Sequence, residues 1–556
     1  MRGAPRPSNI FRPAYGGPPA GRLYILTLAV LVGFGAVAWQ LASLAQGFGA
    51  GPRIMTAENQ IRHAVARPDA VDRNGLVLAS DVRVYWLFAD PSQVLDVDET
   101  LERLSRVLKA SDLEGLRDKL TAPGSRFVWV KRGLTPRDAN AVHNLGLPGL
   151  YLLQEPQRVY PSGSTAVHVL GHTNVDNEGL AGIEKYIDAE PGAATQAAEF
   201  GGRQRIRLSL DLRLQHAMHE ELAAAKERFQ AKGVGGIILD VASGEVLAMG
   251  GLPDYDPNRR EEALQKDLRN RLYYDTYEMG SVFKTMTIAM GLDAGVIRPG
   301  QEIDVLTPLH LGHFTLVDRH AKSRYITVED VFTHSSNTGA ARIALQVGAA
   351  GQKAFLEKMG LLHPMTTELG PTAHPQVPDP WRNINTMTAA YGHGISVPPF
   401  AFAVATAALV NGGFKIEPTF LPRSRSEGRA RAVKVLTPQT SAAMRRMFWL
   451  NVEKGTGKRA KVEGYRVGGK TGTAWKPAPG GYSHDVITSF VAAFPMDDPQ
   501  YLVLVVMDEP QVAEQGEKTE AGYNAAPTAG NIIRRIGPML GIAPSRTFDE
   551  LIQASY

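Results

Sequence analysis

Residues 23–44, LYILTLAVLVGFGAVAWQLASL, run for 22 positions without a charged side chain. A helix needs about 20 apolar residues to cross the hydrocarbon core of a bilayer. Arg2, Arg6, Arg12 and Arg22 precede the run, and no acidic residue comes before it. Basic flanks are retained on the cytoplasmic side. The pattern predicts a cytoplasmic tail over 1–22, a single transmembrane helix over 23–44 and export of everything after it. A cleaved signal peptide is the rival, but its apolar core is only about 7–15 residues and ends in a small-residue cleavage site. QGFGAG at 46–51 fits such a site poorly. A buried soluble helix is the third reading; the length and the flanking arginines favour a retained anchor.

The rest of the 556 residues suffices for about three units of ordinary size. A net charge of +4, with no basic stripe interleaved with aromatics, argues against a nucleic-acid partner. The absence of cysteine excludes disulfides, thiol nucleophiles and thiolate metal sites. It suits an oxidising compartment without proving one.

Two exported units follow. Residues 45–205 read as a mixed α/β unit. DVDETLERLSRVLKA and TPRDANAVHNL have helical periodicity, and SRFVWVKRGL reads as a strand. EPGAATQAAEFGGRQ at 190–204 is small and polar, a connector. Residues 206–545 differ. GVGGIILDVASGEVLAMGG contains two strand-like runs around a turn, and YRVGGKTGTAWKP, ITSFVAAFP and YLVLVVMDEP add three more near the end. Helical segments lie between, and residues 546–556 form a C-terminal tail. Strands at both ends with helices between predict an α+β fold: one central antiparallel sheet built from distant segments and covered by helices.

Three short motifs fall in this second unit. Ser281 and Lys284 are three apart, so on a helix the amine can reach the hydroxyl. Gly280 before them allows a sharp turn. A serine at a helix N-terminus can attack a carbonyl while a nearby N–H holds the oxyanion, although a capping serine beside an exposed lysine has the same letters. Ser335-Ser336-Asn337 follows 54 residues after Ser281 and reads equally as a proton relay or a helix cap. Lys470-Thr471-Gly472-Thr473 lies on a glycine-flanked strand, where a ligand or backbone can approach closely. GYRVGGKT, 464–471, also fits the phosphate-loop string letter for letter. That string needs a helix opening at its lysine, and TGTAWKPAPGG opens none.

S-x-x-K, S-x-N and K-T-G in this order are the set of the penicillin-binding proteins and class A β-lactamases. The chain resembles a class B penicillin-binding protein, a membrane-anchored D,D-transpeptidase of bacterial cell-wall synthesis. The likeness extends to DRNGLVLA, RVYPSGSTAVHVLGHTNVDNEGLAGIEKYID, LSLDLRLQ and ILDVASGEVLAMGGLPDYDPN. YEMGS is similar to the division-specific subgroup, with Met279 where proline is commoner. Pro68 and Ala70 depart from the family's glycine and isoleucine before DRNG, and Pro68 alters the options of the first turn.

The resemblance implies that 45–205 is a periplasmic pedestal of the dimerisation type and that 206–545 is the penicillin-binding domain, a serine acyltransferase. It implies that Ser281 attacks the carbonyl between the two terminal D-alanines of a peptidoglycan stem peptide. Lys284 is the general base and Ser335 passes the proton to the leaving D-alanine. Asn337 holds the donor's side-chain amide and Lys284. By the same likeness Lys470, Thr471 and Thr473 bind the terminal carboxylate, and Gly472 is counted with them among the substrate-binding residues. The acyl-enzyme is then attacked by an amine acceptor, and β-lactams acylate the same serine. No metal or cofactor is needed. The implied setting is the inner membrane at the division site, beside the septal glycan polymerase and other division proteins.

His168 and His172 have a metal-like spacing, but Gly171 and the missing H-E-x-x-H glutamate speak against a metal. Asp240 and Glu245 flank a turn and are expected to be solvated. Trp475 either lines the substrate groove or packs within its strand. The rival functions are a β-lactam hydrolase or carboxypeptidase, against which the anchor and pedestal stand, and a β-lactam sensor, which would have several spans.

Overall fold

The computed structural model describes residues 20–45, 66–190, 198–200, 203–263, 265, 268–312, 314–318 and 323–544. The tail at 546–556, most of the tail at 1–22 and much of the connector at 190–204 lie outside the described residues.

The uncharged N-terminal run forms helix α1, Ala20–Ala45, with Leu28, Leu31, Val32, Phe34 and Trp39 exposed along it. Among the described residues no helix is long and apolar enough to cross a membrane, so the anchor belongs with the proposals below.

The pedestal carries three long antiparallel strands, β1 (Val77–Ala89), β2 (Val128–Leu134) and β3 (Leu150–Val159), with β1 in the middle. Short helices at Val97–Ser105 and Pro136–His143 lie where the periodicity predicts them. They close a small core on Leu87, Leu104, Val130 and Val142. Asn258 joins this unit to the catalytic one. Its side-chain amide accepts from the Tyr160 N–H and donates to the Tyr160 carbonyl, both at 2.9 Å.

The catalytic unit is built on five antiparallel strands. β4 (Gly233–Asp240) and β5 (Val246–Leu252) come early; β6 (Gly468–Ala478), β7 (Gly481–Phe494) and β8 (Tyr501–Asp508) come more than 200 residues later. Their order across the sheet is β6-β7-β8-β4-β5. β4 and β8 are buried along their whole lengths, so both faces of the sheet are covered. Successive side chains of a strand point to opposite faces. Leu502, Leu504 and Val506 accordingly enter one core, while Val503, Val505 and Met507 enter the other. The second core is closed by α2 (Leu212–Arg228) and by α7 (Ala525–Met539), through Leu214, Met218, Ile532 and Ile536. The first is closed by α3 (Lys284–Asp293), α4 (Asn337–Met359), α5 (Pro399–Val410) and α6 (Pro438–Lys454). α5, PFAFAVATAALV, is buried on every side, as a helix apolar all round must be. Each fully buried large aliphatic side chain contributes about 1.5–3 kcal/mol of transfer free energy. Val282, Phe283 and Met286, around the N-terminus of α3, are buried in the first core.

Asp240 and Glu245 correct the sequence-based expectation. Both are only 5% exposed. Asp240 pairs with Arg425 at 2.9 Å and accepts from the Ala242 and Ser243 N–H groups. Glu245 accepts from the Arg423 N–H and faces Arg73 of the pedestal. Buried charge persists because it is paired and hydrogen-bonded, and the pairing arginines lie far away in the chain.

Candidate active site

Gly280–Phe283 is a single 3₁₀ turn leading into α3. In such a turn residues three apart eclipse one another, and Ser281 and Lys284 do so. Gly280 has φ +57°, and a Cβ there would sit 2.6 Å from the Thr473 carbonyl oxygen. The turn thus presses directly on β6, which only glycine permits.

Lys284 Nζ lies 2.9 Å from Ser281 Oγ and 3.0 Å from Ser335 Oγ, and it donates to the Ser335 carbonyl. Ser335 sits between the helix Val328–Thr333 and α4, with φ +61°. A left-handed residue of this kind commonly terminates a helix; for a serine it costs about 1–3 kcal/mol. The turn aims both its carbonyl and its hydroxyl at Lys284. Ser336 is the N-cap of α4, accepting from the Gly339 N–H at 3.0 Å. The cap is therefore Ser336, while the hydroxyl that meets Lys284 is that of Ser335. Asn337 is the first residue of α4 and half-buried. Among the described residues no hydrogen bond joins it to Lys284, whose reach is occupied by Ser281 and Ser335.

Lys470 Nζ comes from β6 to within 3.0 Å of Ser335 Oγ and also donates to the Thr471 carbonyl. Thr471 Oγ1 is 2.6 Å from Thr456 Oγ1. Gly472 pairs across the sheet with Ser489. Thr473 Oγ1 accepts from the Ala521 N–H at 3.1 Å, in the loop before α7. β6 continues as strand through Ala478, with no helix at its lysine, which removes the phosphate-loop reading. Trp475 is 56% exposed.

Both lysines are fully buried. Burial, and after it the charge of Lys470, holds the Lys284 amine well below the ordinary lysine value, with Asp318 pulling the other way. Burial pushes Lys470 down to about 7. A buried amine whose charged form is disfavoured, in contact with a hydroxyl at a helix start, is the arrangement of an activated nucleophile pair. The histidines are occupied elsewhere. His168 takes the Gly251 N–H on Nδ1 and contacts the Leu268 carbonyl through Nε2, and His172 meets Tyr255 Oη.

Residues outside the three short motifs surround the site. Asn451, fully buried on α6, donates to the Gly469 carbonyl at 2.8 Å and accepts from both the N–H and hydroxyl of Thr456. Glu278, three residues before the nucleophile, is buried beneath Tyr482. Only the YEMGS string pointed towards Glu278.

Comparison with known proteins gives a consistent result. Residues 234–534 match the penicillin binding protein transpeptidase domain, and residues 62–205 match the penicillin-binding protein dimerisation domain. The chain is 40% identical, over 86% of its length and 82% of the relative's, to the "Probable peptidoglycan D,D-transpeptidase FtsI" of Caulobacter vibrioides. It is 29% identical to the peptidoglycan D,D-transpeptidase FtsI of Escherichia coli K12, over 94% of this chain and 91% of that one. Among solved structures, the transpeptidase domain of Burkholderia pseudomallei penicillin-binding protein 3 superposes with TM-score 0.55 at 29% identity, covering 61% of this chain and 98% of that one. A Bifidobacterium adolescentis peptidoglycan synthetase shares the fold with TM-score 0.67 at 19% identity, covering 87% of this chain and 97% of that one.

Proposed function

The chain belongs to the penicillin-binding protein transpeptidase family, and on that premise we propose the residue roles by which it works as a class B peptidoglycan D,D-transpeptidase of cell division. Ser281 Oγ attacks the carbonyl carbon between the two terminal D-alanines of a stem peptide. Its proton passes to the neutral Lys284 amine as the new C–O bond forms. The oxyanion is met by the backbone N–H groups of Ser281 and Thr473. The C–N bond then breaks, and the proton reaches the departing D-alanine amine through Ser335, which contacts both lysines. An amine from a neighbouring strand attacks the resulting ester, the C–O bond breaks, and Ser281 recovers its proton. A β-lactam follows the first half of this sequence, but its leaving group stays tethered.

Lys470 and Thr473 bind the terminal carboxylate, with Thr471 and Gly472 shaping the strand beneath it. Asn337, at the start of α4, takes the donor's side-chain amide. The donor lies along the free edge of β6 as an added strand. The single observation that carries these roles is the position of Lys284 Nζ, in bonding reach of both Ser281 Oγ and Ser335 Oγ.

The domain reading assigns 23–44 to a membrane anchor, 45–205 to a periplasmic pedestal and 206–545 to catalysis. It sets the enzyme in the inner membrane at the septum, next to the glycan polymerase. The test is to incubate the purified protein with fluorescent penicillin, then with a stem-peptide donor and an amine acceptor. The adduct maps to Ser281 by mass spectrometry, and Ser281→Ala abolishes both labelling and cross-linking. An adduct on Ser335 or Ser336 overturns the assignment.

A further inference from the structure

One buried carboxylate beside the nucleophile is fully engaged by residues that no motif marks. Glu278 is 7% exposed. Its Oε1 accepts from the Gly394 N–H at 2.8 Å and from Tyr482 Oη at 3.0 Å. Its Oε2 lies 3.0 Å from His393 Nδ1 and 3.2 Å from Tyr482 Oη. These partners stand 115, 116 and 204 positions away in the chain. The turn that supplies two of them already touches the nucleophile's own turn. Gly392 has φ +81°, and a Cβ there would lie 2.2 Å from the Gly280 carbonyl oxygen. Glu278 therefore ties the start of the Gly280–Phe283 turn to two separate elements.

The second element needs such a tie. β7 pairs with β8 only from Ile487 to Phe494. Before Ile487 it pairs with β6 alone, and the register slips between Trp475 and Pro477. Residues 475–486 thus form a two-stranded ribbon projecting past the sheet. Such a ribbon is at best marginally stable on its own. Beyond the bond from the Glu509 N–H to the Val486 carbonyl at its base, each strand has one side-chain anchor. Lys476 pairs with Asp508 at 2.7 Å and with Glu509. Tyr482 reaches Glu278. Burial, followed by the Glu278 charge, pushes the Tyr482 phenol up to about 12, so its O–H remains a donor at any physiological pH. Trp475, on the same ribbon, leads directly out of the Lys470–Thr473 stretch and is exposed.

We infer that Glu278 is a positioning residue for the substrate groove: through Tyr482 it fixes the overhanging β6–β7 ribbon as the wall beside Ser281, and so sets how tightly a chain lying along β6 is gripped. This rests on the transpeptidase reading above. It concerns binding along the groove and leaves the proton transfers at Lys284 unchanged.

The test uses the full-length protein in detergent and the variants Tyr482→Phe, Glu278→Gln and their combination. Acylation by a fluorescent penicillin over a concentration series yields a half-saturation concentration and a limiting rate. Hydrogen exchange of residues 475–486 is followed without substrate. Loss of one hydrogen bond to a charged group corresponds to about a ten- to hundredfold effect. Tyr482→Phe is expected to raise the half-saturation concentration by that factor, leave the limiting rate within about twofold and speed exchange in the ribbon while α3 stays protected. The part of the Glu278→Gln effect that runs through Tyr482 is expected to vanish in the Tyr482→Phe background, so the double variant falls short of the sum of the two single ones. An unchanged half-saturation concentration with unchanged exchange overturns the inference, and so does a fall in limiting rate alone. A wild-type protein that takes no label overturns the transpeptidase reading instead; the exchange measurement needs no acylation and separates the two failures.

Discussion

Lys470 Nζ donates to Ser335 Oγ across 3.0 Å, joining residues 135 positions apart in the chain. The contact places a second amine against the hydroxyl that Lys284 also reaches. Two ammonium groups sharing one small acceptor repel in a buried site, and the Lys470 charge adds to burial in holding the Lys284 amine below the ordinary lysine value. Lys284→Arg is the direct test. A guanidinium stays charged at all accessible pH values and cannot take the Ser281 proton. Penicillin acylation should fall by about 10²–10⁴-fold, the usual worth of a positioned base. In the wild type the acylation rate should rise with pH through a group titrating below about 10.4, the ordinary lysine value. A flat profile with an active arginine variant would remove the general-base role.

The same buried amines make stability depend on pH. Lys470 in the folded protein releases its proton near 7, whereas in the unfolded chain it holds it to the ordinary lysine value. Between those limits the unfolded state binds more protons, so stability rises with pH, by up to about 1.4 kcal/mol per unit for each such group. The gain is lost as pH falls through the folded value of about 7. Lys470→Met should flatten the rise in Tm between pH 7 and 9.5, leaving only what Lys284 contributes. Parallel Tm curves for wild type and variant would show that Lys470 is not held neutral.

Asn451 offers a prediction on the architecture behind β6. It is fully buried and holds the Gly469 carbonyl, one residue before Lys470. Asn451→Ala strands that carbonyl and both groups of Thr456, at a cost of about 1–3 kcal/mol for each unsatisfied group. The expected result is a clear drop in Tm together with slower acylation. Thr456→Val, which removes one hydroxyl shared by Asn451 and Thr471 and leaves the Gly469 carbonyl held, should lower Tm less and slow acylation by a smaller factor. Equal Tm values for Asn451→Ala and wild type would contradict the support role.

What could be read beforehand follows the range of the interactions. Ser281 and Lys284 are three apart, and their contact needs only one turn. The β-branched and aromatic content of YLVLVVMD pointed to a strand, and both cores receive its side chains. Asp240 and Glu245 looked solvated because a local window sees two acids at a turn. Arg425 and Arg423, which bury them, lie 185 and 178 positions away. Glu278 was visible only as a letter in YEMGS, because all its partners are distant. The left-handed turn at Ser335 carries no composition signal, since serine there has no special claim to positive φ. That turn brings the Ser335 carbonyl and hydroxyl to the place where the family pattern led us to expect Asn337.

The N-terminal segment carries the last prediction. On the anchor reading, Trp39, Gln40 and Ser43 give the outer end of 23–44 more polarity than lipid anchoring requires, and Gly33, Gly35 and Ala36 add small residues within it. Small and polar residues in a span commonly sit at helix–helix contacts. A helix contact in the membrane and a pedestal contact outside it would act in series, the second becoming intramolecular once the first is made. The expected neighbour is the polytopic septal glycan polymerase, whose product is the strand to be cross-linked. Replacing 23–44 with an unrelated spanning helix of equal length separates recognition from tethering. The swapped protein should still insert and bind penicillin, because the catalytic cores are unchanged, but it should lose septal localisation and fail to support division. A swapped protein that localises to the septum and divides cells normally would make the segment a tether alone.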